Sequence, residues 1–238
     1  MAILIWGSIT LLAVLSWATY QSALLLRRVQ IEFNVLLSPV ENVVKLLLIG
    51  VCLAIGFSSG VSRRQLGWDP GQGLTEVWLG LGLGVGFSLL STLGTMLAVK
   101  VFGPEIYSPA IMKNIVPRSR EEWFPVLVAI LPAVILEELL FRSFLLGGFS
   151  LIIPAIVAAL LFSTFFGLMH APQGILGVVG TGLVGFVLSV VFIWRGSLLA
   201  PLVAHYTTNV LQLTTAKWEM AWMDRMDGGE GPDKDDIR

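Results

Sequence analysis

Two adjacent glutamates and an arginine lie inside one of the most apolar parts of the chain. Glu137, Glu138 and Arg142 fall within residues 124–149, a stretch with no other charged residue. The chain's two histidines, His170 and His205, also lie in hydrophobic segments. Ionisable groups are costly to place in hydrocarbon, so they normally face a protein interior or a wet cavity and mark a functional pathway. The pattern therefore predicts an active site inside a membrane.

The spacing of these residues separates their roles. Residues four apart share a helix face, so Glu138 and Arg142 can form an ion pair, whereas Glu137 points about 100° away. His205 and Asn209 have the same spacing and would project from one stripe of a single helix. We therefore expect Glu137 to remain without a partner on its own helix, and His205 and Asn209 to face one cavity.

His170 stands at a predicted break between two helices. It is followed by Ala171-Pro172-Gln173-Gly174, where proline and glycine should interrupt a helix. In straight helices with a rise of about 1.5 Å per residue, His170 would lie roughly 20 Å from Glu137 and His205 along the membrane normal. We therefore expect the break to lie within the membrane and to line a wet cavity, as broken helices do.

An acid, two histidines and an asparagine can hydrolyse a peptide bond without a covalent intermediate. Glu137 and His170 would hold and deprotonate a water molecule, and His205 with Asn209 would donate hydrogen bonds to the oxyanion. No serine or cysteine has a base beside it in the sequence, and we expect no Gly-x-Ser-x-Gly nucleophile elbow. Direct attack by water is therefore favoured over a covalent route.

A metal site is the alternative within the same class of chemistry. Histidine and carboxylate side chains are ordinary zinc ligands, so Glu137, His170 and His205 could supply a set of three. The chain contains no His-Glu-x-x-His motif, so such a site would need residues from three separate spans. The sequence leaves zinc open and indicates no other cofactor.

Composition assigns the chain to the polytopic membrane proteins. Of the 238 residues, 55% are hydrophobic and 13% are charged, and the mean hydropathy is +0.84. These values lie far outside the range of soluble domains. At about 20 residues per span the length allows roughly seven spans and no separate soluble domain. No basic stripe indicates nucleic-acid binding, and the lone Cys52 excludes an internal disulfide.

The apolar runs predict a single all-helical bundle over residues 1–223, with the three motifs in 123–217. The seven predicted spans are approximately 2–26, 43–57, 77–99, 123–149, 152–170, 175–194 and 198–218. Residues 102–122 would form a connector on the surface, and residues 224–238 a disordered, polar and acidic tail. In the third span, Gly80, Gly82, Gly84 and Gly86 give small-xxx-small spacings, which allow a neighbouring helix to pack closely.

Lysine and arginine placement predicts an integral protein of the cell membrane with its amino terminus outside and its carboxyl tail cytoplasmic, because cytoplasmic loops are rich in both residues. With seven spans, the residues expected inside are Arg27, Arg28, Lys100, Lys113, Arg118, Arg120, Lys217, Arg225, Lys234 and Arg238. Those expected outside are Arg63, Arg64 and Arg195.

Three motifs in this order resemble the CPBP family of intramembrane proteases, also described as CAAX prenyl endopeptidase type II and bacteriocin-processing (Abi) proteins. The motifs are Glu137-Glu138-x-x-x-Arg142, Phe166-x-x-x-His170 and His205-x-x-x-Asn209, each on its own predicted span. After the arginine, many members have glycine where this chain has Ser143, a small-for-small change expected to leave packing intact.

The resemblance implies an all-helical membrane fold and peptide hydrolysis near the bilayer. It also implies the roles given above for Glu137, His170, His205 and Asn209, with Glu138 and Arg142 as structural support. The expected partners are membrane lipid and a peptide or prenylated protein substrate. Zinc stays open, because the family has been described both as metalloproteases and with a metal-free glutamate mechanism, and the oligomeric state stays open too.

Two other functions use the same residues. A non-catalytic scaffold, acting in immunity or regulation, would use them for helix adhesion. A proton-coupled transporter would also bury acids and histidines, but it should have interrupted helices in two corresponding halves, and the sequence predicts only one break.

Overall fold

The computed structural model describes residues 1–28, 33–106 and 110–227, and every regular element in these ranges is helical. The helices are α1 (Ala2–Arg28), α2 (Pro39–Ser58), α3 (Leu74–Phe102), α4 (Ala110–Ile115), α5 (Trp123–Phe149), α6 (Ala155–Met169), α7 (Gly174–Arg195) and α8 (Leu199–Asp227). Short 3-10 turns occupy Val35–Leu37, Pro104–Ile106 and Ala171–Gln173. The expected all-helical membrane fold is confirmed.

The seven long helices match the seven predicted apolar runs. Among the described residues, five are long and apolar enough to cross a membrane: α1, α2, α3, α5, and α7 with the turn before it. At 15 residues, α6 is about 22 Å long, shorter than the roughly 30 Å hydrocarbon core. The last helix, α8, is not among the five.

Some helices extend beyond the predicted runs, and the physical cause is visible in α2. It begins at Pro39 because Ser38 caps it by accepting a hydrogen bond from the Glu41 backbone amide, with Pro39 in the first turn. At the other end of the chain, α8 continues to Asp227, and residues 228–238 of the predicted tail lie outside the described residues. The predicted connector contains α4 and one 3-10 turn, and its residues 107–109 also lie outside them.

The closest helix pair is formed by α3 and α8, which run parallel. A Cβ atom on Gly80 would lie 2.6 Å from Val203 Cβ, and one on Gly84 would lie 2.5 Å from Thr207 Cβ. Only glycine permits this approach, which confirms the predicted packing role of these two positions. The alternate glycines of the same run face open space.

The middle of α5 forms the centre of the bundle, where all residues from Leu139 to Leu146 are buried. Ser143 connects this centre to the loop between α2 and α3. Its hydroxyl donates to the Leu66 carbonyl at 2.7 Å and accepts from Trp68 Nε1 at 2.9 Å. Ser143 is therefore more than a small packing residue, because it anchors a loop at one end of the bundle.

An ion pair between α3 and α7 stabilises the same end of the bundle. Glu76 at the start of α3 has no exposed surface, and Arg195 at the end of α7 donates to it at 2.6 Å from Nη2 and 3.0 Å from Nε. This pair lies away from the three motifs and joins two helices whose other contacts are few.

Candidate active site

Glu138 and Arg142 form the predicted ion pair within α5. Arg142 Nη1 donates to Glu138 Oε1 at 2.8 Å, and both side chains are almost completely buried. From Leu139 to Leu146 the helix is a π-helix, a rare form that occurs often at functional sites. Arg142 lies in this segment, and its Nη2 also donates to the Gly185 carbonyl of α7 at 3.2 Å. The arginine thereby joins α5 to α7.

His205 of α8 lies against both glutamates. Its Nδ1 is 2.8 Å from Glu138 Oε1, and its Nε2 is 3.5 Å from Glu137 Oε2. A carboxylate paired with an arginine can only accept, so Nδ1 carries a proton and donates it to Glu138. This bond fixes the ring with Nε2 towards Glu137. Glu137 thus has a partner, supplied by α8 rather than by its own helix.

His170 ends α6 and is held by its own backbone. Its Nδ1 lies 2.8 Å from the Phe166 carbonyl oxygen, which can only accept a hydrogen bond. Nδ1 therefore donates, and the ring's other nitrogen, Nε2, is the one left for an external partner.

The ring of Phe166 joins the three motifs. The Arg142 guanidinium lies 4.9 Å from its centroid, the His170 ring 4.8 Å and the His205 ring 5.8 Å. Phe166 is a motif position for which the sequence indicated no role. Its spacing of one helical turn before His170 was the available signal, because it places both rings on one face.

One cavity of about 270 Å³ brings together the four residues predicted to be catalytic, Glu137, His170, His205 and Asn209. It has room for several water molecules. Asn209 lines it with no hydrogen bond from its side chain to another described residue. Glu138 and Arg142 do not line the cavity and lie behind it.

The separation of roughly 20 Å estimated from straight helices is wrong, because the His170 and His205 rings lie 4.8 Å and 5.8 Å from the Phe166 ring centroid and His205 contacts Glu137. The estimate treated all spans as full crossings, whereas α6 is short and ends at its cap, His170. The break at Ala171–Gln173 reaches the cavity, since Gln173 lines it. The break therefore lines the cavity, and its expected position within the membrane stays a prediction.

Residues 119–211 match the family model described as type II CAAX prenyl endopeptidase Rce1-like. This part of the chain is similar to the Rce1-like family. The match contains all three motifs and agrees with the resemblance to the CPBP family. At the family level it supports a CAAX-type intramembrane protease, and with the apolar helices it supports an integral membrane protein. Neither a curated protein nor a solved structure matches the chain.

Further polar residues outside the motifs line the cavity, and the sequence had not indicated a role for them. They are Ser91, Thr92 and Thr95 of α3, Gln173 and Thr181 around α7, and Thr208, Gln212 and Glu219 of α8. Glu219 lies beyond the Rce1-like segment, and so do the three residues of α3. On α8 the signal was the helical spacing from His205 through Asn209 and Gln212 to Glu219.

The residues as arranged do not fit a zinc ion. Across the part of the chain that the structure describes, no three His, Cys, Asp or Glu side chains are grouped so that they could hold a metal. The 3.5 Å between His205 Nε2 and Glu137 Oε2, and the donation from Nδ1 of each histidine to a protein acceptor, would suit two zinc ligands. The misfit is therefore the missing third ligand among the described residues. Zinc ligation needs three or four ligands at about 2.0–2.3 Å from a shared centre.

One sequence pattern for covalent catalysis does occur, outside the Rce1-like segment. Gly56-Phe57-Ser58-Ser59-Gly60 has the spacing of a nucleophile elbow. The expectation that the sequence lacks this pattern is therefore wrong. Its central serine, Ser58, is the last residue of helix α2, so the segment ends a helix rather than joining a strand to a helix.

Proposed function

We propose that this protein is a CAAX-type intramembrane endopeptidase in which Glu137 and His170 activate a water molecule. The observation that carries the proposal is the single cavity lined by Glu137, His170, His205 and Asn209. These residues come from three helices, so their convergence is a property of the fold and not of local sequence.

The reaction follows from the atoms that face the cavity. Water bound between Glu137 and His170 Nε2 loses a proton to the Glu137 carboxylate as its oxygen bonds to the carbonyl carbon of the peptide. The resulting oxyanion accepts hydrogen bonds from the Asn209 amide and from Nε2 of His205. In this proposal His205 is an imidazolium that took its second proton from solvent before the substrate bound, and it keeps both protons through the step. When the carbon–nitrogen bond breaks, the departing amine takes the proton held by Glu137.

The buried residues behind the cavity position this machinery. Glu138 fixes the His205 ring by accepting from Nδ1, and Arg142 compensates the charge of Glu138. Phe166 keeps the two imidazole rings at a fixed separation, because both pack on its ring. Preorganised donors of this kind need no rearrangement when charge develops.

An apolar groove supports a lipid-bearing substrate. It has a volume of about 340 Å³, lies between α3 and α7, and shares Ser91, Thr95 and Gly180 with the cavity. Its remaining lining is mainly leucine, valine and phenylalanine. In this proposal the prenyl chain of the substrate occupies the groove while the adjoining peptide enters the cavity.

The proposed orientation has the cavity open to the cytoplasm. Its lining includes Leu36 and Ile115, from the connections next to α1 and α5. With the amino terminus outside, those connections lie on the cytoplasmic side together with Lys113 and Arg118. Protease accessibility of an added tag at either terminus, measured in sealed vesicles, tests this orientation.

Cleavage of fluorogenic peptides by the purified protein tests the proposed activity, with a prenylated peptide and its unprenylated counterpart as substrates. Glu137→Gln and His170→Ala should each lower kcat by about 10²–10⁴-fold, the usual contribution of a general acid–base. Glu41→Gln, at a half-buried position of α2 that does not line the cavity, is the matched control and should cleave at the wild-type rate. Wild-type cleavage by the Glu137 variant would remove the proposed base, whereas a wild-type protein that cleaves neither peptide would favour a scaffold.

A chelator separates the two hydrolytic mechanisms. The proposed mechanism predicts that cleavage continues after chelation. Loss of cleavage with chelator, followed by recovery with added zinc, would refute the metal-free mechanism while leaving the peptidase activity in place.

A further inference from the structure

Glu219 differs from the other two buried glutamates among the described residues, Glu76 and Glu138. Glu76 pairs with Arg195 and Glu138 pairs with Arg142. Glu219 has only 8% of its surface exposed, yet no cation among the described side chains pairs with it. A buried carboxylate normally requires a cation or several hydrogen bonds to offset its desolvation.

Glu219 also lines the cavity of the proposed active site. One of its oxygens, Oε1, accepts a hydrogen bond from Thr92 Oγ1 of α3 at 2.6 Å. No described residue donates to the other oxygen. The carboxylate is therefore held in place by α3 and retains the capacity to bind a donor inside the cavity.

We propose that Glu219, positioned by Thr92, is a substrate subsite for a positively charged group, an arginine or lysine side chain of the peptide. The proposal rests on the peptidase function proposed above and specifies the peptide that this chain accepts. A cation supplied by the substrate would give Glu219 the partner that the other two buried glutamates find within the protein. Neighbouring Gln212 and Thr95 supply neutral polar groups along the same wall.

The helix geometry sets the distance between this subsite and the cleaved bond. His205 and Glu219 are separated by four turns of α8, a rise of about 21 Å, and glutamate side chains extend back towards the helix amino terminus by about 5 Å. The carboxylate then lies roughly 15–20 Å from the reacting atoms. An extended peptide rises about 3.3 Å per residue, so the cation should be about four to six residues from the cleaved bond.

Peptides with one arginine moved along the chain test the subsite, with citrulline at the same position as the uncharged isostere. The wild-type protein should prefer arginine over citrulline about tenfold in kcat/KM when the residue lies about four to six positions from the cut, and only there. In Glu219→Gln, which keeps an acceptor for Thr92, this preference should disappear through a higher KM for the arginine peptide. Glu105→Gln, a carboxylate on the exposed connector, is the matched control and should keep the preference.

A purely structural role for Glu219 gives a different result. Glu219→Gln would then change the cleavage of both peptides equally, and that result would overturn the proposal. Thr92→Val removes the hydrogen bond between α3 and α8 and keeps the charge, so the subsite predicts a weakened preference for arginine rather than its loss. Glu219→Lys should reverse the preference and favour a peptide with glutamate at that position.

Binding to an inactive protein separates this proposal from the peptidase function. Fluorescence anisotropy with Glu137→Gln should show tighter binding of the arginine peptide than of the citrulline peptide, and the difference should vanish in Glu137→Gln/Glu219→Gln. If this difference is found and no variant cleaves any peptide, the peptidase function fails and the cation subsite stands. If peptides are cleaved with equal preference for arginine and citrulline at every position, the subsite fails and the peptidase stands.

Discussion

Removing Arg142 alone should destabilise the protein far more than removing Arg142 together with Glu138. The guanidinium makes two hydrogen bonds, to Glu138 Oε1 at 2.8 Å and to the Gly185 carbonyl at 3.2 Å, and its side chain is 1% exposed. Arg142→Met fills similar volume and leaves the Glu138 carboxylate buried without its cation. Breaking a buried pair from one side costs about 3–5 kcal/mol, a large fraction of the roughly 5–15 kcal/mol that stabilises a typical protein.

The double variant Arg142→Met/Glu138→Leu removes both charges and should recover most of that loss, because buried ion pairs are often close to neutral relative to apolar replacements. Its activity should stay low, since His205 Nδ1 loses the acceptor that orients the ring. Stability is measured by reversible unfolding in mixed micelles, and activity by cleavage of the fluorogenic peptide.

The half-buried pair Lys45–Glu41 is the matched control, with the same four-residue spacing and an N–O distance of 3.1 Å. Lys45→Met should cost under about 1 kcal/mol. Two results would contradict the role of the buried pair: a loss in free energy of unfolding for Arg142→Met no larger than that for Lys45→Met, or a double variant that cleaves peptide as fast as the wild type.

Two further variants test the packing around the site. Gly84→Val should lower stability by about 1–3 kcal/mol and reduce cleavage, because its Cβ would lie 2.5 Å from Thr207 Cβ and force α3 and α8 apart. Gly86→Val, whose Cβ meets open space, is the control, and equal losses of stability in the two variants would contradict the packing described. Ser143→Ala should cost about 1–3 kcal/mol, because the Leu66 carbonyl and the Trp68 indole lose their shared partner, and faster proteolysis of the loop between α2 and α3 should accompany the loss.

The sequence was informative where local spacing alone determines geometry. The four-residue separation of Glu138 and Arg142 predicted their ion pair, and the structure has it. The small-residue spacing predicted close packing, which Gly80 and Gly84 make with α8. Helix periodicity fixes which residues share a face whatever surrounds them, so these inferences needed no knowledge of the neighbouring helices.

Residue spacing along one helix could not predict contacts between different helices. The sequence predicted that Glu137 lacks a partner on its own helix, but it could not predict that His205 of α8 would approach it. The straight-helix estimate separated His170 from the other residues because the depth of each helix is set by packing rather than by residue count. Phe166 received no role for the same reason, since its contacts with Arg142 and His205 cross from one helix to another.

The amino-acid sequence indicates the class of protein, the helices and the pairs of residues that share a helix face, and it predicts which side chains are reactive. All of these depend on composition and on the 3.6-residue period of a helix. The packing of the helices places Glu137, His170, His205 and Asn209 around one cavity, with Glu219 along the same wall. The sequence also did not predict that α6 is short enough to bring His170 there. These facts depend on how the helices pack against one another, and packing is set by many weak contacts between residues far apart in the chain.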